Sequence, residues 1–198
     1  MKAGKPETMD EICSVIDDHA RRFIEAQHMF FVATAPLDPA GHVNLSPKGL
    51  DTFRILGPSR VAYLDFNGSG VETISHLKEN GRIVLMFCSF QGPPKIFRLH
   101  GRGRVVEPDD TEFELLTENF RNHDSVRSII VVELNRVADS CGYGVPLFNY
   151  QGERKQLAAW AHTKGPEGLE AYREENNARS IDGLPGIRVQ KIEQLKTA

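Results

Sequence analysis

Between Met29 and Leu134 the apolar residues come in short β-branched and aromatic runs: MFFVATA (29–35), HVNLS (42–46), RVAYLDF (60–66), RIVLMFCSF (82–90), KIFRLHGRGRVVE (95–107) and VRSIIVVEL (126–134). Most are bounded by turn signals, namely Asp38-Pro-Ala-Gly, Leu56-Gly-Pro-Ser, Asn67-Gly-Ser-Gly and Gln91-Gly-Pro-Pro. Six strands at this spacing, mostly without helices between them, predict an antiparallel sheet or small barrel rather than βαβ units.

Helical periodicity flanks and interrupts the strands. Thr8 followed by Glu11 reads as a capping box, and Ile12, Val15, Ile16, Phe23 and Gln27 keep near-helical spacing behind it. Ser69 with Glu72 reads as a second box, with Ile74 and Leu77 following and Asn80-Gly81 as the stop. Pro108 is expected to start a further helix carrying Phe113, Leu116 and Phe120 on one side. After Tyr150 the pattern turns helical again, over Gln156–Thr163 around Trp160 and over Pro166–Asn176 with Leu169 and Tyr172, before a polar tail with Ile181-Asp-Gly-Leu-Pro-Gly. The division this predicts is one domain over 1–198: an N-terminal helix (1–27), the strands (28–150) and a helical C-terminal extension (151–198).

Composition narrows the class without naming a function. The chain has 198 residues, 40% hydrophobic and 26% charged, with a net charge of −3 spread along its length. Neither nucleic acid nor an anionic membrane is favoured as a partner. The apolar runs are far too short to span a bilayer, and MKAGKPETMDEIC carries no apolar secretory core, so a cytoplasmic location is expected. Cys13, Cys88 and Cys141 are singletons and are expected to be buried thiols.

There is no GxxxxGK[ST], no GxGxxG after a strand, no GxSxG and no HExxH, and the seven histidines form no HxH or HxxxH pair, which argues against a metal site. Gly101-Arg-Gly103 reads as a bulge or a tight sheet contact. Three features carry possible chemistry. Ser46-Pro-Lys48-Gly, at a strand end, is either a turn with a solvated lysine or a point charge for a phosphate or carboxylate, aided by the Ser46 hydroxyl. Asp65-Phe-Asn-Gly-Ser-Gly70 leads into a helix start, where free N–H groups favour an anion; Glu72 places a carboxylate at the same spot. Period two sets Arg98, His100, Arg102 and Arg104 on one strand face, either a solvated surface or the wall of a cofactor or subunit boundary. Tyr143 and Trp160 are either packing residues or platforms for a planar ring.

The runs FFVATAPLDPAGHVNLSPKG, RVAYLDFNGSGVETISHLKENGRIVLMF and IFRLHGRGRVVE, over roughly residues 25–135, resemble the pyridoxamine 5′-phosphate oxidase-like superfamily of FMN-binding split barrels. CGYGVP and SIDGLPG look like a branch distinct from the vitamin B6 oxidases. The resemblance implies a six-stranded split barrel, a homodimer with FMN in grooves at the subunit interface, and an FMN-dependent oxidoreductase acting on a small organic substrate. Relatives of the barrel use deazaflavin F420 or haem instead, or act as non-catalytic carriers or sensors. It implies that Asn44, Leu45, Ser46 and Lys48 run alongside the flavin, with Pro47 bending the strand end to aim Lys48. Tyr63 and Asp65 approach the ring or ribityl chain, Ser69 to Thr73 face the phosphate, Arg98 completes the pocket, and Trp160 caps it from the partner subunit. Vitamin B6 oxidases carry an arginine where Val43 aligns and an Arg-Lys phosphate pair where Glu72-Thr73 aligns, and end in an Arg-x-His segment missing here. These departures argue against pyridoxamine phosphate as substrate.

Overall fold

The computed structural model describes residues 14–121 and 125–188. The elements are α1 (Asp18–Glu25), β1 (Phe30–Thr34), β2 (Asn44–Lys48), β3 (Phe53–Gly57), β4 (Arg60–Phe66), α2 (Glu72–Asn80), β5 (Arg82–Cys88), β6 (Ile96–Val106), α3 (Phe113–Thr117), β7 (Val126–Ser140) and α4 (Gln156–Asn176). The strands form one antiparallel sheet in the order β2-β1-β5-β6-β7-β4-β3. Seven strands stand where the spacing predicts six.

The additional strand is β3. FRILG pairs with β4 from Phe53 opposite Tyr63, and all five of its positions are half-buried. Its apolar side chains are too few and too evenly exposed to alternate visibly.

Two clusters account for the unbroken apolar runs of β4 and β7. Val61, Tyr63, Ile130 and Val132 face an interior plugged by Ile16, Ala20 and Ile24 from the α1 end, with Phe30, Leu85, Phe87 and Leu99 around them. Ala62, Leu64, Ile129 and Val131 face the opposite way, under Leu116 and Phe120 beside α3. Strands covered on both faces lose polar alternation.

Gly101 shows how tightly β6 lies on β7. A Cβ there would sit 2.3 Å from the Glu133 carbonyl oxygen and 2.8 Å from Val132 Cγ1. Gly101→Ala must therefore part the strands, and is expected to lower the unfolding free energy by roughly 2–3 kcal/mol in urea titrations. A loss below about 0.5 kcal/mol would show that the sheet yields freely at this point.

Several local expectations need correction. The cap of α1 is Asp17, whose carboxylate accepts the Ala20 N–H at 2.7 Å; the Thr8–Glu11 box and Cys13 lie outside the described residues. Val15 is exposed and Gln27 lies beyond the end of α1, although Ile16 is buried. At α2 the Ser69–Glu72 box does not form: Val71 occupies the cap position with no side-chain bond, and the Glu72 carboxylate turns elsewhere. The stop is as expected, with Gly81 left-handed at φ 70°. Pro108 does not begin α3, which spans only Phe113–Thr117. Within α4, Gly165 at φ 64° separates two helical segments where two were expected. Cys88 is buried, but Cys141 is exposed. β2 runs straight through Pro47, which pairs with Phe31 while Lys48 pairs with Phe30. An edge strand tolerates the missing N–H, and no bend aims Lys48. Among the described residues no helix is long and apolar enough to cross a membrane.

Candidate functional site

A cavity of about 350 Å³ opens between β2, the turn to β3, the end of β4, the loop before α2 and Leu157 of α4. Its polar floor follows from one buried carboxylate. Asp65, wholly buried on β4, accepts from Lys48 Nζ at 2.9 Å and from Arg127 Nε at 2.8 Å. Burial pushes the Asp65 carboxyl up, but Lys48 and then Arg127 outweigh burial and hold it at about 2. The same burial, with the Asp65 charge next to it and Arg127 opposing, raises Tyr63 well above the ordinary phenol range, so the tyrosine stays neutral.

Arg127 arrives there through a bulge. Pairing between β4 and β7 steps from Asp65–Ser128 to Phe66–Val126, leaving Arg127 as the extra residue. An extra residue breaks the alternation and turns the guanidinium toward Asp65. Its two terminal nitrogens donate to the carbonyls of Gly68 (3.1 Å) and Gly70 (2.7 Å). Arg127 thus locks the loop that forms one wall of the cavity. Leu50 also lines the cavity; it and the next residue, Asp51, hold left-handed backbone at φ 62° and 54°, and Arg54 clamps the Asp51 carboxylate at 2.9 and 3.0 Å.

A second network sets donors and acceptors at the mouth. The Asn44 amide nitrogen donates to Thr73 Oγ1 at 2.9 Å and to Thr34 Oγ1 at 3.2 Å, and the Ser46 hydroxyl donates to Asn44 Oδ1 at 3.3 Å. Thr34 Oγ1 and His76 Nδ1 lie 2.9 Å apart in a further hydrogen bond of this network, and His76 is wholly buried. Burial depresses its pKa, against the pull of Asp182, Glu72 and Glu79.

The cavity brings together Asn44, Ser46, Lys48 and Thr73, with Asp65 beneath them. The other residues implied by the resemblance lie elsewhere in this chain. Tyr63 is in the barrel interior, with Lys48 Nζ 6.0 Å from its ring. Leu45 points out from the far face of β2, 65% exposed, and Ser69 is exposed on its loop. Arg98 donates to Ser140 Oγ at 3.0 Å, and Trp160 packs edge-on to Tyr172 with centroids 5.0 Å apart. Sequence reasoning passed over Arg127 and Leu157, while Asn67 lay within the loop it singled out. Only Arg127 carried a signal, as a lone charge one residue into an apolar run that needs a buried carboxylate partner.

A seven-stranded antiparallel split barrel with a polar groove between its second strand and second helix defines a class, and comparison with known proteins places the chain within it. The sequence pattern of pyridoxamine 5′-phosphate oxidase matches residues 16–141. The pyridoxamine 5′-phosphate oxidase family protein ustO of Aspergillus flavus is 38% identical over 189 residues, which cover 87% of this chain and 76% of that protein. The chain belongs to the pyridoxamine 5′-phosphate oxidase family. Among solved structures, HupZ of Group A Streptococcus superposes with a TM-score of 0.51 at 16% identity, covering 64% of this chain and 94% of that one. A single-residue variant of HupZ gives the same TM-score at 18% identity, covering 63% and 99%. At such identities the likeness concerns the fold alone.

Proposed function

We propose that the protein binds a flavin in this groove and works as a flavin-dependent oxidoreductase on a small organic substrate. The observation that carries this reading is the row of uncharged polar groups, Asn44, Ser46 and Thr73, held in fixed orientation beside the Lys48 ammonium in a chain of this family. Those groups fit the carbonyls, ring nitrogens and ribityl hydroxyls of a flavin. No acceptor for the Thr73 hydroxyl proton occurs among the described residues, which leaves that proton for a ligand. The phosphate dianion of FMN fits less well, because both cations at the cavity already serve Asp65. A flavin bound here supplies the hydride and electron transfer, and the chain binds, orients and shields it. That division of labour suits a chain with none of the nucleophile motifs sought above. Haem is disfavoured by the lining, which holds no histidine, cysteine, methionine or tyrosine to ligate iron.

The reading includes a homodimer. Val43 and Leu45 stand 75% and 65% exposed at edge strand β2, where a second subunit would bury them.

Titration of the full chain with riboflavin, FMN and F420, followed by quenching of ligand fluorescence, tests the proposal. Saturable binding of a flavin at micromolar concentrations or below is expected, with light scattering at the mass of a dimer. Binding of F420 alone would move the protein to the deazaflavin reductases, and no uptake of any of the three would reject the reading.

A further inference from the structure

The phosphate end of the groove is where this chain departs most from a site built for a phosphate ester. The first turn of α2 faces the cavity, and a helix start of this kind attracts an anion. Here the anion is already present and belongs to the chain. Glu72 is the first residue of α2, and its carboxylate folds back so far that Oε2 lies 2.6 Å from where a Cβ on Gly70 would be. Its other oxygen, Oε1, accepts the backbone N–H of Ile181 at 3.3 Å.

That donor is well anchored. Residues 177–187 form a short hairpin with Arg179 bridged to Pro185. Asn177 Nδ2 donates to the Gly68 carbonyl at 2.8 Å, so the hairpin grips the same loop that Arg127 holds. At its tip Asp182 accepts from the His42 backbone N–H at 2.8 Å and from His42 Nδ1 at 2.6 Å. The hairpin lies outside residues 16–141, which match the family, and delivers Ile181 to Glu72 from beyond that region. No cation offsets Glu72 in an ion pair among the described residues. The cavity's own cations, Lys48 and Arg127, are both bonded to Asp65.

We infer that Glu72 is a specificity-determining residue of this groove. Its carboxylate fills the position at the start of α2 where a phosphate would be held, so the groove binds flavin with little or no preference for the phosphorylated form. The inference rests on the flavin reading above and says which end of the ligand this chain recognises: ring and ribityl chain by Asn44, Ser46, Thr73 and Lys48, and a terminal hydroxyl rather than a dianion beside Glu72.

The test compares riboflavin and FMN binding to the full chain, by fluorescence quenching, in wild type, Glu72→Gln and Glu72→Ala. Wild type is expected to bind the two flavins within about threefold of each other. Removing a like charge a few ångströms from a phosphate should tighten FMN relative to riboflavin by roughly tenfold. The Ala variant removes the charge without keeping the amide, so agreement between the two variants assigns the effect to charge. Wild type preferring FMN by a hundredfold, or an unchanged FMN-to-riboflavin ratio in both variants, overturns the inference while leaving the flavin reading in place. No binding of either flavin to any of the three proteins overturns both.

Discussion

Arg127→Met is expected to lower the thermal unfolding midpoint by roughly 10 °C. Three of the guanidinium's five N–H donors are in use, on Asp65, Gly68 and Gly70, and the side chain is only 4% exposed. Methionine matches its length and none of its bonds. Asp65 would be left wholly buried with Lys48 as sole counterion, and two loop carbonyls would lose their donor. Breaking a buried pair from one side costs about 3–5 kcal/mol, and each kcal/mol moves the midpoint of a chain this size by about 2–4 °C. Arg127→Lys should recover little, because one ammonium cannot reach three acceptors arranged for a planar fork. The pH dependence provides an independent check. Asp65 is held at about 2 from an ordinary 3.8, so it gives up its proton more readily when folded than when unfolded. Its contribution, roughly 2–3 kcal/mol, is complete above about pH 4 and is lost as pH falls toward 2. In Arg127→Met that loss should be smaller and should finish at higher pH, because the carboxyl has lost one of the charges holding it down and its folded value moves toward the unfolded one. A variant melting within about 2 °C of wild type, with an unchanged acid limb, would show that Lys48 alone satisfies Asp65.

The strands were legible where burial on two faces made them long apolar runs, as in β4 and β7. β3 was not, because five half-buried residues ending in Gly57-Pro58 resemble a turn approach more than a strand. Local capping rules misled at α2 for a physical reason. The Glu72 carboxylate that would reach back in a capping box is taken by the Ile181 N–H, a partner 109 positions away, and no window of neighbouring residues contains that competition.

The site divides along the same line. Asn44, Ser46 and Lys48 stood out because a strand half-buried by apolar neighbours has no use for NLSPK, and polar side chains in such a place ask for a reason. Arg127 reaches Asp65 across 62 positions and only because a bulge turns it, so its role depends on sheet register that the sequence does not display. The tail read as a polar ending, yet Asp182 meets His42 across 140 positions, and Asn177 ties the hairpin to Gly68 of the loop before α2. Local pattern thus located the groove, and long-range pairing determined its charge.

That charge decides what Lys48 does. The ammonium is neither a solvated turn residue nor a free cation: it lines the cavity, 21% exposed, with one bond to Asp65 and two remaining N–H donors. Lys48→Ala is expected to weaken riboflavin and FMN alike, each by roughly tenfold, the worth of one charge-assisted hydrogen bond in a partly desolvated groove. It should also cost less stability than Arg127→Met, because Asp65 keeps its shorter pair and the loop carbonyls keep their donor. Lys48→Arg should restore the charge without the affinity, since a fork does not fit where a compact ammonium bridges the Asp65 floor to a ligand. Measuring both flavins in both variants separates the possibilities. A loss confined to FMN would place Lys48 at the phosphate and contradict the role assigned to Glu72. Unchanged affinity with lost turnover would move the lysine to the substrate, and equal losses place it against the part of the flavin the two ligands share.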